Sequence, residues 1–211
     1  MPSSAPARLL GALLSAGLLV AVAGPAAHAE REVVRDASRD AVSFDLEASD
    51  ATGQEVVVPA RGDATTDITR VVVDHRADAL RVVVHVRSLR DAHIDRTFVA
   101  LRSKQRLWGV MVGRSGRETF TSLTRGHRET PRQCGGLISE VNPAADRLTI
   151  TVPTVCIEDP RWVRVGVARL TGRVPGGSGT EDDLVLAWDE AGVTGYEDDS
   201  VEVRGPKVHR G

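Results

Sequence analysis

Period-two alternation over Arg70–Leu89, RVVVDHRADALRVVVHVRSL, constrains this chain more than any other feature. In its second half Leu80, Val82, Val84 and Val86 point one way, and Arg81, Val83, His85 and Arg87 point the other. That is a strand with one fully apolar face. The first half, Ile68 to Asp74, is β-branched with Val71 to Val73 at its centre, and valine's branched Cβ suits a pleated surface better than a helix. His75-Arg76-Ala77-Asp78 is a short polar connection, so the two runs predict a β-hairpin, with His75 in the turn.

The same signature recurs along the chain. Ala41 to Leu46 alternates, and Glu55 to Val58 is a short run stopped by Pro59. Arg96 to Arg102 and Leu107 to Val112 flank Ser103-Lys104-Gln105-Arg106, a second hairpin. Glu118 to Leu123 alternates weakly. Leu137 to Val141 and Arg147 to Val152 flank the turn sequence Asn142-Pro143-Ala144-Ala145-Asp146. Trp162 to Ala168 puts Val163, Val165 and Val167 on one face, with Trp162 opposite, and Asp183 to Trp188 is the last strong strand. Gly113–Arg117 and Thr124–Gly136 are read as loops. Pro153 to Asp159 fits a short helix or turn, and no long stretch has helical periodicity. Many short strands with one apolar face predict a single antiparallel β-sandwich, all-β in class and jelly-roll-like.

The N-terminus defines the compartment. Arg8 precedes an apolar run from Leu9 to Ala23, which breaks at Gly24-Pro25 and ends in Ala27-His28-Ala29. The run falls short of the about 20 residues that span a bilayer. Charge, apolar stretch and A-x-A site together predict a secretory signal peptide over residues 1–29. The mature domain then covers 30–204, with 205–211 expected to be a disordered tail. A chain with formal net charge −2 offers no basic surface for nucleic acid. Lysine occurs only at 104 and 207 among abundant arginine, a bias that points to a GC-rich, actinobacterial genome.

Export gives the cysteines a reading. Cys134 and Cys156 are the only two, and in an oxidising compartment such a pair forms one disulfide. Closing a loop of about 23 residues stabilises by roughly 3 kcal/mol on chain-entropy grounds. No Cys/His cluster has zinc spacing.

The order Gly62-Asp63, Asp67-Ile68, valine strand, polar turn and Leu80–Val86 resembles the start of DOMON-like and family 9 carbohydrate-binding-module sandwiches. Arg147–Pro153 and Trp162–Ala168 resemble later core strands of that group, and the chain is similar to secreted actinobacterial proteins with the same cysteine pair. The resemblance covers most of residues 60–190 and implies a jelly-roll-like sandwich that binds sugar or haem. Haem-binding members use Met and His ligands; the mature chain has one methionine, Met111.

Candidate chemistry is sparse. No serine stands in a G-x-S-x-G frame, and no histidine pair makes HExxH. Glu181-Asp182-Asp183 and Glu197-Asp198-Asp199 read as solvated surface, with a structural calcium as the alternative, and Asp63 and Asp67 read the same way. No other cofactor is expected. Sugar-binding sandwiches stack exposed aromatic rings on their ligand, and Trp162, opposite the valine face, is the best platform. Arg125, His127, Arg128 and Arg132 make the 124–136 loop basic and suited to an anionic polymer such as a teichoic or uronic acid chain. The expected function is therefore non-catalytic binding outside the cell by Trp162, Arg125 and Arg128, of a polysaccharide or another envelope ligand. The alternatives are an envelope protein that meets a protein partner, and a glycoside hydrolase using paired acids.

Overall fold

The computed structural model describes residues 30–104, 106–116, 118–126, 130–174, 184–191, 203 and 205–211. The signal-peptide stretch, Arg128 and the acidic runs 181–183 and 197–199 lie outside the described residues. The strands are β1 (Glu30–Arg35), β2 (Val42–Phe44), β3 (Val57–Pro59), β4 (Ile68–His75), β5 (Ala79–Val86), β6 (Ile94–Arg102), β7 (Leu107–Ser115), β8 (Glu118–Arg125), β9 (Ile138–Asn142), β10 (Arg147–Pro153), β11 (Trp162–Arg173), β12 (Val185–Glu190) and β13 (Val208–His209). One helix, α1 (Leu46–Thr52), follows β2.

These elements form two antiparallel sheets. The first has order β1-β4-β5-β10-β9; the second has order β3-β2-β12-β11-β6-β7-β8, with β13 pairing the start of β11. The alternating valines meet between them: Val71 and Val73 of β4 and Leu80, Val82 and Val84 of β5 pack in one core with Val99, Val110, Ile150, Val163 and Val167. The chain is an all-β sandwich, as the periodicity predicts. The disulfide forms: Cys134 and Cys156 are joined, with their Cα atoms 5.7 Å apart. It ties the connection after β8 to a 3-10 turn, Thr154–Ile157, that leads from β10 towards β11. Among the described residues no helix is long and apolar enough to cross a membrane.

Several local expectations fail for identifiable reasons. The run from Ala41 stops at Phe44, because Asp45 caps α1 by accepting the Ala48 N–H and Gly53 ends it in the left-handed region at φ 66°. Gly113–Ser115 continue β7 instead of looping, and β8 runs on to Arg125. His75 is not a turn residue. It ends β4 fully buried, and its ring bonds the Val208 carbonyl at 3.0 Å. The same contact corrects the tail. Residues 208–209 form β13, Val208 is 1% exposed, and the Gly211 N–H donates to the His75 carbonyl. The buried Val208 side chain, its pairing with β11 and backbone hydrogen bonds hold this polar segment.

Asp63 and Asp67 are buried, not solvated. Asp63 accepts the Thr65 and Thr66 N–H groups and pairs with Arg173 at 3.0 Å. Asp67 accepts the Arg39 N–H and pairs with Arg87 at 2.7 Å. Beside them Arg169 is 1% exposed; it donates to the Thr65 carbonyl and the Thr97 hydroxyl and pairs with Asp95 at 2.8 Å. Asp95 also pairs with Arg114 at 3.0 Å. This polar layer lies where the second half of β11 crosses the loop into β4. A buried charge needs partners, and here each cation has a carboxylate within reach.

Candidate functional site

A groove lined by three cations sits beside the disulfide, at the opposite end of β11. Three connections build it. The β6–β7 turn supplies Ser103, Lys104 and Arg106; the 3-10 turn supplies Ile157 and Glu158; and the approach to β11 supplies Pro160, Arg161 and Trp162. Together they enclose about 320 Å³. The pairing of β6 with β11, Arg102 opposite Arg164, brings the first and third segments together although some sixty residues of chain separate them.

Trp162 is half-buried, on the face opposite Val163 as its parity predicts. The Lys207 ammonium lies 4.6 Å from its ring centroid, close enough for a cation–π contact. Arg125 comes to the same end. It lies opposite Trp108 in the β7–β8 ladder, and its guanidinium sits 5.5 Å from the centre of that buried ring. Arg132 approaches the same indole at 5.2 Å, which secures the connection after β8 against the sheet.

Glu158 joins the two parts. Arg125 reaches one of its carboxylate oxygens at 3.3 Å and Arg106 the other at 3.5 Å. Arg125, singled out separately in the sequence, is thus tied to an acid that lines the same groove as Trp162. Asp159 is held by Arg210 at 3.3 Å. Both acids occupy the left-handed region, Glu158 at φ 65° and Asp159 at φ 47°. For residues with a Cβ this costs about 1–2 kcal/mol each. Two consecutive strained residues persist only where their surroundings fix them, and such strain clusters at binding sites. Here the 3-10 turn does the fixing: the Asp159 N–H donates to the Thr154 carbonyl at 2.8 Å.

His75 anchors β13 through the carbonyl of Val208, the residue after the Lys207 that lies over Trp162. Burial pushes its pKa below the usual histidine value, opposed by the Val208 carbonyl and reinforced by Arg210 and His209. The carbonyl can only accept, so Nδ1 carries the proton, while Nε2 is buried with no hydrogen-bond partner.

Lys104, Arg106, Arg161 and Glu158 are the groove residues that sequence reasoning missed. A usable signal existed for two of them: Lys104 and Arg106 occupy the tip of a hairpin that the alternation predicts. Arg169 also had a signal, because extending the parity of Val163, Val165 and Val167 by one step puts it on the core face. Compared with known proteins, the chain matches no family model, no curated protein and no solved structure.

Proposed function

We propose that this is an exported, non-catalytic binding protein whose Trp162 groove takes an acidic extracellular polymer, a uronic-acid or teichoic-acid type of chain. The supporting observation is the convergence of Lys104, Arg106 and Arg161 around a half-buried tryptophan in one groove, on a chain whose net charge is negative. An indole face packs on the apolar C–H patches of a sugar ring, and the surrounding cations attract carboxylate or phosphate groups. Lys104, Arg106 and Arg161 are all exposed, Arg106 in a pair with the equally exposed Glu158, so their present contacts are cheap to exchange for a ligand. The two acids at the groove are engaged by arginines at 3.3–3.5 Å, an arrangement that favours holding a chain over general acid–base chemistry. The disulfide and the apolar leader sequence support export.

A pull-down of the mature chain with immobilised polygalacturonate, teichoic acid and neutral glucan tests this reading. Retention on at least one acidic polymer is expected, with little on glucan and loss in Trp162→Ala. Equal retention on all three, or none on any, would refute it. A second reading, a protein partner, draws on two exposed apolar side chains at the adjoining edges of the sheets, Phe120 of β8 (47% exposed) and Ile138 of β9 (53% exposed). Phe120→Ser with Ile138→Ser would abolish a protein contact and leave polymer retention unchanged.

A further inference from the structure

We propose that Asp36, Asp40 and Asp189, backed by Asp67, form a calcium site that joins the edges of the two sheets. The inference is independent of the groove and of its ligand.

One carboxylate oxygen from each of Asp36, Asp40 and Asp189 lies within 4.8 Å of the others. Three oxygens spread evenly about a calcium ion at 2.3–2.6 Å stand about 4.0–4.5 Å apart, a spacing that falls within that limit. They come from separate segments. Asp36 follows β1, Asp40 precedes β2, and Asp189 belongs to β12. Asp67 precedes β4. The group therefore draws on both sheets, and an ion there would link them.

Asp67 supplies a second, independent observation. It is fully buried, and its two oxygens differ. Oδ2 accepts the Arg39 N–H at 2.9 Å and the Arg87 guanidinium at 2.7 Å. Oδ1 has no hydrogen-bond partner. Chain adjacency brings this residue beside the trio: its partner Arg39 adjoins Asp40, and its neighbour Ile68 donates its N–H to Asp189. Its negative charge acts on both Asp40 and Asp189. Both oxygens of Asp40 are likewise buried and unpartnered. Leaving several buried carboxylate oxygens without a donor is costly, and one cation removes that cost.

Asp189 reports the same crowding. Burial first, then the charges of Asp36, Asp40 and Asp67, push its pKa up to about 8, against the lowering effect of the Ile68 N–H. The donors are all hard carboxylate oxygens, with no histidine or cysteine among them, which selects calcium or magnesium over zinc or copper. Three carboxylates with a fourth behind them suit calcium, because magnesium keeps most of its water.

The test is calcium titration of the mature chain after chelator treatment and dialysis, by isothermal calorimetry and by thermal unfolding. One calcium per chain is expected, with a dissociation constant of about 10⁻³ M or tighter, and a Tm that rises with calcium. Asp40→Asn and Asp189→Asn should each weaken binding by about tenfold or more, because each removes ligand charge. Asp74→Asn, whose parent carboxylate pairs with Arg76, should leave it unchanged. If Asp189→Asn fails to fold, Asp40→Asn decides alone, since it changes one charge in a half-exposed connection. No calcium heat and no Tm rise at millimolar calcium would overturn the proposal. So would binding unaltered by Asp40→Asn, or a preference for magnesium.

Discussion

The two halves of β11 handle charge in opposite ways. Just before its start, the Glu158 side chain is 46% exposed and is shared by Arg106 and Arg125 at 3.5 and 3.3 Å. Near its other end, Arg169 is 1% exposed and meets Thr65, Thr97 and Asp95 at 2.7–2.8 Å. Exposed pairs are worth about 0–1 kcal/mol and rearrange at little cost. Buried pairs contribute little net stability when complete, yet cost about 3–5 kcal/mol when one partner is lost. The first arrangement suits exchange with a ligand; the second fixes how the loop into β4 meets the sheet. One strand serves both ends because its inward face changes from valine to arginine and threonine after Ala168.

The largest effect that would break this contrast is at Arg169. Arg169→Met leaves Asp95 buried with only Arg114, so urea unfolding should show a loss of about 3–5 kcal/mol. Polymer retention at temperatures where the variant is folded should match the parent. A loss below about 1 kcal/mol would mean that the layer is loosely held.

The disulfide comes next. Cys134→Ser with Cys156→Ser should lower stability by about 3 kcal/mol through the entropy of the unfolded chain. It should also weaken polymer retention, because the 3-10 turn bearing Glu158 is one of the two segments joined. Stability lost with retention intact would separate the staple from the groove.

The smallest effect is a pH dependence at the groove end. The folded state holds His75 neutral, with its pKa below the ordinary value near 6.5. A depressed folded pKa gives stability that is present above the unfolded value and lost as pH falls through the folded one. Arg210 and His209 oppose protonation and Asp74 favours it. Between pH 7 and 5 the parent should therefore lose more stability than His75→Gln, a difference read from their urea midpoints. Identical pH profiles would show that His75 does not titrate with folding.

How far the sequence carries differs between the same two regions. The hairpins and the apolar faces were legible because period two is a local property, and Cys134 and Cys156 because two exported cysteines have few options. Trp162 pointing away from the valines was legible by the same parity. The groove was not, because Lys104 and Arg161 meet only through the pairing of β6 with β11, a long-range fact. The buried fate of Asp63 and Asp67 was hidden by reading charge as surface, and that of Arg169 because the alternation was followed only as far as Ala168. The tail was hidden because Val208 is a lone apolar residue among polar ones.

Trp162 itself offers the most direct test of the groove. Trp108 and Trp188 are buried, so a ligand that stacks on the half-exposed Trp162 should dominate any change in indole fluorescence. Titrating the mature chain with an oligogalacturonate should give a saturable change that weakens as salt screens the cations and vanishes in Trp162→Phe. A flat titration, or an equal response to a neutral oligosaccharide, would contradict the account.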